Sequence, residues 1–439
     1  MTTPVWDFLS RYSTSGTARF HMPGHKGSPL LGCEALDLTE IAGADSLYEA
    51  SGILAESERN CSMLFSSRAT FYSAEGSSLC IRAMLHLLAL YRRPGCSRRI
   101  FAARNVHKSF VTAAALLDLP VDWLFSSAPS PLCSCPVSPE ALEQALAEAE
   151  APPAAVFLTS PDYLGGRQDL AALAEICHRH GTYLAVDNAH GAYLHFLPEP
   201  CHPLDLGADL CCDSAHKTLP VLTGGAYLHF SSRCPDAMLA SARRSLALFG
   251  STSPSYLILA SLDRCNAVLA EEFPQRLSAF LPRLQETRQM LEQSGCRLLS
   301  SDPLRIVLSC DGLSAAERLR SFGGEPEYAD RDYLVLMLTP YNSDSDLTLL
   351  TKALGGVRPP NTAPVFPLSR PEPVLRLREA LLAPQETLRV EDAVGRICAD
   401  PSVSCPPAVP IRMPGERITE EAVEQFLAYG RETVSVVSV

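Results

Sequence analysis

Apolar and polar positions alternate in blocks along the chain between about Phe71 and Phe230. Short runs that are almost wholly apolar, such as residues 154–159 and 182–187, are separated by longer segments with helical spacing. Continuous apolar runs are typical of strands that are buried on both faces of a sheet, and their alternation with helices predicts a parallel or mostly parallel sheet. The fold class that we expect is therefore α/β.

The boundaries of several elements can be predicted from this pattern. We expect strands over residues 70–73, 99–103, 154–159, 182–187 and 208–213, and helices over residues 79–91, 138–150 and 169–180. Ser138 is expected to cap its helix, with Pro139 in the first turn. Near the end of the chain, Thr419 is expected to cap a helix that ends at Gly430.

Four regions are predicted from the changes in pattern. Residues 1–30 show no clear period and are expected to form an N-terminal arm, and residues 31–255 to form a large domain. Long amphipathic stretches and short strands predict a smaller α+β domain over residues 256–360. A Pro-rich joint at residues 358–367 precedes a C-terminal α+β domain over residues 361–439.

The composition excludes several classes of protein. The chain has 439 residues and a net charge of −12, and no block of Lys and Arg stands out. This balance disfavours binding to nucleic acid or to an anionic membrane surface. No apolar run approaches the roughly 20 residues that a membrane span requires. We expect a small-molecule partner.

The sixteen cysteines are scattered, and the first residues lack the basic start and apolar run of a signal peptide. We therefore expect reduced thiols in a cytoplasmic protein. Cys133 with Cys135, and Cys211 with Cys212, are the pairs to consider as metal ligands. No second pair at the spacing of a zinc site accompanies them, so we predict a structural role and no metal.

An acid and a lysine end two successive predicted strands. Asp187 ends the strand over residues 182–187, and Lys217 follows the next strand in the sequence Ser214-Ala-His-Lys217. A pyridoxal 5'-phosphate (PLP) enzyme needs this combination, because the lysine amine forms a Schiff base with the cofactor aldehyde and the acid keeps the pyridine nitrogen protonated. Either residue alone would be an ordinary surface lysine or strand-end acid.

Further candidates follow the carboxyl ends of the other predicted strands, where open α/β sheets bind ligands. Gly76-Ser77-Ser78 opens a helix and has the composition of a phosphate cup. Ser214 and His216 flank the lysine and can donate to the same phosphate. His107 could stack on a planar ring, and Ala189 is small enough to lie flat beneath it. Each has a plain structural reading as a cap or a small core residue, but their order and placement together favour a PLP site.

These residues resemble the bacterial Orn/Lys/Arg decarboxylases, PLP enzymes of fold type I (aspartate aminotransferase-like), in a short form without an N-terminal wing domain. The resemblance covers nearly the whole chain, from the F-H-x-P-G-H-K-G motif at residues 20–27 to the tail. The other matching motifs lie at residues 37–40, 76–78, 104–109, 187–192, 214–217, 252–256, 390–397, 406–410 and 414–416.

The resemblance implies a role for each matching position. It implies that Lys217, His216, Asp187 and His107 are catalytic. It implies that the cofactor is held by Gly76, Ser77, Ser78, His107, Asp187, Ala189, His190, Ser214, His216 and Lys217, together with Thr252 and Ser253 from a neighbouring subunit. A homodimer with shared active sites is therefore expected, with His190 near the phenolic oxygen of the cofactor.

The implied reaction is the decarboxylation of a basic L-amino acid, namely arginine, lysine or ornithine, to a polyamine-pathway amine. The proton that replaces CO₂ would come from His216 or Lys217. Four departures from the family pattern put the substrate in doubt. Asn188 replaces a glutamate, Ala215 replaces a threonine, and Cys405 and Ala408 alter the tail. Asp162 is an unusual acid that could meet a cationic substrate, although a solvated loop acid is the favoured alternative.

Two alternatives stay open. Another PLP reaction on the same scaffold, transamination or C–S lyase chemistry, would need an arginine that clamps a carboxylate, and Arg305, Arg331 and Arg358 are candidates. A catalytically idle or regulatory PLP-binding protein is the other alternative, and the presence of Asp187, His107 and Lys217 together argues against it.

Overall fold

The computed structural model describes residues 1–126, 129–299, 302–359, 370–401 and 409–438. Most of the predicted Pro-rich joint lies outside these described residues, as do Cys405, Pro406 and Ala408 of the tail. Every cysteine within them is a free thiol. None of the helices there combines the length and the apolar character that crossing a lipid bilayer requires.

The described residues form strands in three sheets. The strands are β1 (Ala69–Ser73), β2 (Ile100–Ala103), β3 (Val121–Leu124), β4 (Ala155–Thr159), β5 (Tyr183–Asp187), β6 (Leu210–Asp213), β7 (Ala226–Phe230), β8 (Arg305–Ser309), β9 (Tyr328–Ala329), β10 (Tyr333–Met337), β11 (Gln385–Arg389) and β12 (Thr433–Val437).

Helices of very different lengths connect these strands. They are α1 (Pro4–Thr14), α2 (Ile53–Leu64), α3 (Gly76–Leu90), α4 (Lys108–Leu116), α5 (Pro139–Ala147), α6 (Leu170–Arg179), α7 (Ala215–Thr218), α8 (Asp236–Ala240), α9 (Ala242–Ala247), α10 (Tyr256–Glu271), α11 (Phe273–Gln293), α12 (Gly312–Ser321), α13 (Asp344–Leu354), α14 (Leu377–Leu381) and α15 (Glu420–Ala428). Three short 3₁₀ helices occur at Leu47–Glu49, Ala192–Phe196 and Val390–Asp392.

The chain divides into two compact units. The first unit comprises residues 1–96 and 170–277. Its strands lie in the order β1, β7, β6, β5, with β5 and β6 parallel and with β7 antiparallel to both β6 and β1. Helix α3 packs on this sheet through fully buried side chains such as Leu79, Met84 and Leu88, because its sequence is apolar on nearly every face.

The second unit comprises residues 97–169 and 278–439. Strand β2 pairs in parallel with both β3 and β4, while β8, β10 and β9 form an antiparallel sheet. Strands β11 and β12 pair antiparallel and, together with α15, cover a small core. This core includes Val390, Ile411, Phe426 and Val436. The predicted domain boundaries stay a prediction.

A buried ion pair ties the tail of the second unit to the end of β2. Arg104 donates from Nη1 and Nη2 to the two carboxylate oxygens of Glu416, at 2.7 and 2.5 Å. The guanidinium also lies 5.3 Å from the ring centroid of Trp123, and both charged residues are almost fully buried. Bidentate, charge-assisted bonds of this kind offset the desolvation of two buried ions.

The α/β fold class is confirmed, and most of the predicted elements form within a few residues of their expected bounds. Ser138 and Thr419 cap α5 and α15 as expected, each accepting the N–H three residues ahead. Helix α1 was not predicted. It forms because Val5 and Leu9 are fully buried and Asp263 accepts the N–H of Trp6. These contacts cannot be predicted from a short segment that has no clear hydrophobic period.

Candidate active site

Asp187 lies at the carboxyl end of β5 in the first unit. Its Cα pairs with that of Cys212 on the parallel strand β6, so the ends of both strands meet at one edge of the sheet. The carboxyl group is 3% exposed and accepts the N–H of Ala189 at 3.2 Å. Burial raises the pKa of Asp187 to about 6, and the charge of Lys217 opposes this shift. The charge of Lys217 is thus near enough to act on this acid, and the pairing of the two residues around one cofactor stays a prediction.

Lys217 lies in α7, the short helix that follows β6, and its side chain is half-buried. Its Nζ lies 3.0 Å from Nε2 of His190, which itself is 6% exposed. An amine next to an imidazole can exchange a proton with it, and the deprotonated amine is the nucleophile that a carbonyl group requires. The structure thus places His190 next to the amine of Lys217.

The predicted phosphate cup is assembled from two distant segments. Helix α3 begins at Gly76, whose φ is +71° and whose missing side chain faces open space. Ser214 donates its hydroxyl proton to the hydroxyl of Ser77, 2.8 Å away, while Ser78 is partly buried in the same first turn. The first N–H groups of a helix lack intrahelical partners, and two convergent hydroxyls beside them suit a phosphate.

The ring of His216 is oriented by the backbone. Ring atom Nδ1 lies 3.0 Å from the carbonyl oxygen of Gly225, and the backbone N–H of His216 donates to the same oxygen. A carbonyl oxygen only accepts, so Nδ1 carries the hydrogen, and Nε2 is the acceptor nitrogen of the neutral ring. This geometry fixes the tautomer of the residue that precedes Lys217.

The remaining predicted residues are Thr252, Ser253 and His107. Thr252 and Ser253 are exposed on the loop before α10. His107 belongs to the second unit, where it caps α4 and its Nδ1 accepts the N–H of Ser109 at 3.2 Å. Their roles toward the cofactor stay predictions.

Asp162 has a structural role in the second unit. It is 4% exposed, and Oδ1 accepts the N–H groups of Leu164 and Gly166 at 2.9 and 2.7 Å. Burial raises the pKa of Asp162, and these bonds and Arg305 oppose the shift. The carboxylate therefore closes a turn, and nothing in these contacts presents it to a cationic substrate.

The candidate carboxylate-clamping arginines are occupied or exposed. Arg305 is buried, donates to the carbonyl oxygens of Asp162 and Tyr163, and pairs with Asp302 at 3.3 Å. Arg331 pairs with Asp332, and Arg358 is exposed. These contacts give no support to an aminotransferase site on these residues.

Two features of the site were missed by sequence reasoning. Cys212 places its thiol 3.8 Å from Oδ1 of Asp187, and Asp213 accepts a hydrogen bond from Asn188 at 2.7 Å. In the sequence, Cys212 was considered only as a metal ligand, and Asp213 was visible only as the end of an apolar strand. The register of β5 on β6 places Cys212 opposite Asp187, but this register cannot be predicted from the sequences of the two strands alone.

The residues present fit PLP. A buried carboxylate, a lysine amine beside an imidazole, and converging hydroxyls at a helix N-terminus are the donors and acceptors that the pyridine nitrogen, the aldehyde and the phosphate of PLP require. All of these groups lie in the first unit.

Comparison with known families and sequences gives matches along the whole chain. The family model described as Orn/Lys/Arg decarboxylase, major domain, matches residues 3–324, and the model of its C-terminal domain matches residues 369–435. An uncharacterized protein of Bacillus subtilis is 30% identical, with 97% of this chain and 94% of the relative covered. An arginine decarboxylase of the same organism is 28% identical, with 96% and 92% covered.

Solved structures show the same fold at lower identity. A lysine decarboxylase from Francisella novicida is 16% identical and has a TM-score of 0.81, with 99% of this chain and 81% of that chain covered. The constitutive lysine decarboxylase of Escherichia coli is 17% identical with a TM-score of 0.77, covering 100% and 82%. The fold type I architecture expected from the sequence is confirmed.

Proposed function

Because the chain belongs to the Orn/Lys/Arg decarboxylase family, and is therefore a PLP-dependent amino-acid decarboxylase, we propose that it releases CO₂ from a basic L-amino acid. The observation that carries this proposal is the Asp187, His190 and Lys217 arrangement at the ends of β5 and β6. Arginine, lysine and ornithine are the candidates. The relatives named arginine decarboxylase, which cover over nine-tenths of this chain, favour arginine.

When bound, PLP supplies an electron-withdrawing ring that accepts the electron pair left by the departing carboxylate. Asp187 would hold the proton on the pyridine nitrogen, and Ser77, Ser78 and Ser214 would hold the phosphate. Lys217 would bind the aldehyde until substrate displaces it, and His190 accepts or returns its proton at Nζ. His107 stacking on the ring is proposed from the family resemblance, as is proton return by His216 or Lys217.

A mixture of all twenty amino acids is the most direct test of the substrate. We expect one basic amine, with agmatine first among agmatine, cadaverine and putrescine, to accumulate with stoichiometric CO₂. Mass spectrometry of the products identifies it. Glutamate formed from added 2-oxoglutarate would instead indicate transamination, and no CO₂ from any amino acid would indicate an idle PLP-binding protein.

The pKa of Asp187 gives a pH dependence with a defined sign. A raised pKa means that the carboxylate, which a pyridinium needs, predominates above about pH 6 and is lost as the pH falls below it. PLP affinity should therefore fall about tenfold per pH unit below that point. Titration of the cofactor-free protein with PLP, followed by visible absorbance, measures this.

The matched variant for this prediction is Asp187→Asn. It should bind PLP more weakly than the wild type at neutral pH and show no further loss attributable to this group on acidification. A wild-type affinity that stays flat between neutral pH and about pH 5 contradicts the assignment of Asp187 to the pyridine nitrogen.

We also propose that two copies of the chain form the smallest complete enzyme. Phe20 and Leu30 of the N-terminal arm are 96% and 82% exposed, and exposed apolar side chains of this size favour burial against a partner. Thr252 and Ser253 are exposed, as contact with a neighbouring cofactor requires. Sedimentation analysis of the holoenzyme tests this, and an active monomer would refute it.

A further inference from the structure

The sheet of the first unit carries acids on both of its faces. Successive side chains of a strand point to opposite faces, so Cys212 faces Asp187 while Asp213 points the other way. Asp213 is fully buried there, as are His202, His229 and Asn188. Nothing in the proposed chemistry uses these four residues.

Asp213 is a buried anion held by several donors. Oδ1 accepts from Nδ2 of Asn188 at 2.7 Å, Oδ2 lies 2.9 Å from Nε2 of His202, and Nε2 of His229 lies 3.4 Å from Oδ2. Burial by itself raises the pKa of Asp213, but the neighbouring histidines, His202 foremost, outweigh it and hold the pKa well below its ordinary value. The group is therefore an ionised acceptor, which makes its bonds strong.

A metal ion is the other arrangement that such residues suggest. His202, Cys211 and Asp213 place their donor atoms within 4.8 Å of one another. In a tetrahedral zinc site, with bonds of about 2.1 Å, neighbouring nitrogen and oxygen ligands are roughly 3.4 Å apart. The 2.9 Å between Nε2 of His202 and Oδ2 of Asp213 is a hydrogen-bond length. The geometry therefore favours a direct hydrogen bond over two ligands that share a metal ion.

Asn188 connects this anion to the cofactor side of the sheet. Its N–H donates to the carbonyl oxygen of Cys212 at 2.9 Å, and its own carbonyl oxygen accepts the N–H of Gly191 at 2.8 Å. The turn closed by these bonds carries Ala189 and His190, and His190 contacts the amine of Lys217. A side chain on Gly191 would begin 2.0 Å from Oδ1 of Asn188, so the turn is folded tightly around this amide.

We propose that Asp213 and Asn188 are positioning residues: the buried carboxylate holds the amide, and the amide fixes the turn that places Ala189 and His190 against the cofactor and its lysine. This inference rests on the proposed function, since it assigns the turn to the PLP site. It adds a hydrogen-bonded support on the opposite face of the sheet, where His202 in turn holds the carboxylate and His229 lies 3.4 Å from it.

A double-mutant cycle tests the link. Asn188→Ala and Asp213→Leu should each raise the dissociation constant for PLP about tenfold, the loss expected when one charge-assisted bond is removed. The double variant should bind within about twofold of Asp213→Leu, because both changes break the same bond. The pH midpoint of the visible absorbance of bound cofactor should also shift in Asn188→Ala, since His190 moves relative to Lys217.

Asp209→Leu is the matched control. Asp209 directly precedes β6, is fully buried and contacts His178 at 3.0 Å, so its loss also destabilises the fold. Its carboxylate also accepts the N–H of Leu184 at 2.8 Å, and neither partner belongs to the turn over residues 188–191. We expect this variant to melt at lower temperature yet to bind PLP within about twofold of the wild type.

Three outcomes overturn the proposal. They are an Asn188→Ala protein with wild-type affinity and pH midpoint, losses that multiply in the double variant, and stoichiometric zinc in the holoenzyme that disappears in His202→Ala. Asn188→Ala removes only an amide, so it answers the question even if Asp213→Leu fails to fold. A wild-type protein that does not bind PLP through Lys217 would instead refute the proposed function.

Discussion

Lys217→Ala is expected to lower CO₂ release by at least about a thousandfold, which corresponds to roughly 4 kcal/mol of activation free energy. The variant should still fold, because the side chain is half-buried and its contact with His190 is a single one among many in the site. It should also lose the visible absorbance of covalently bound cofactor. Product formation and absorbance spectra of matched preparations measure both effects.

The chain offers a sharp control for this prediction, since it contains only four lysines, at positions 26, 108, 217 and 352. Borohydride reduction of the holoenzyme followed by peptide mass mapping should place the cofactor on Lys217 alone. Lys352→Ala, on an exposed position of α13, should leave both activity and labelling unchanged. Cofactor trapped on another lysine, or retained covalently in Lys217→Ala, contradicts the assignment.

Glu416→Ala is expected to lower the free energy of unfolding by about 3–5 kcal/mol. The substitution leaves the guanidinium of Arg104 buried without the carboxylate that accepts two of its hydrogen bonds, and it also removes the acceptor of the Met413 N–H. An uncompensated buried charge costs much more than the ion pair contributes. Denaturant or thermal unfolding followed by circular dichroism measures the loss.

Two variants separate burial from charge in this prediction. Glu372→Ala removes the partner of Arg417 in an exposed pair with a 2.8 Å contact, and it should cost less than about 1 kcal/mol. Replacing both members of the buried pair, as Arg104→Met with Glu416→Leu, should recover most of the loss, because no buried charge remains. Equal costs for the Glu416 and Glu372 variants would show that burial does not set the strength of the pair.

Most of the secondary structure was predictable because the strands are continuously apolar. The runs that became β4, β5 and β6 had no competing helical pattern, and polar residues marked where each ended. The candidate site residues Asp187, Ser214 and Lys217 were recognisable because they stand at those ends. Helix α1 was not, since its burial depends on contacts with α2 and α10 rather than on its own period.

Asp162 shows the opposite limitation. Its position in an unusual motif made a substrate contact a reasonable expectation, yet the backbone N–H groups of Leu164 and Gly166 satisfy the carboxylate. A sequence shows that an acid is present, but it does not show which donors surround it.

The amino-acid sequence by itself determined the fold class and the family, and it predicted a set of candidate groups for PLP, because each depends on residue types in a fixed order along the chain. Only the tertiary structure decided which of those groups meet. Strand register placed Asp187 beside Cys212 and Asn188 against Asp213, and folding brought Arg104 to Glu416 across 312 residues of sequence. Such pairings depend on packing between distant segments, so the local pattern of apolar and polar residues does not predict them.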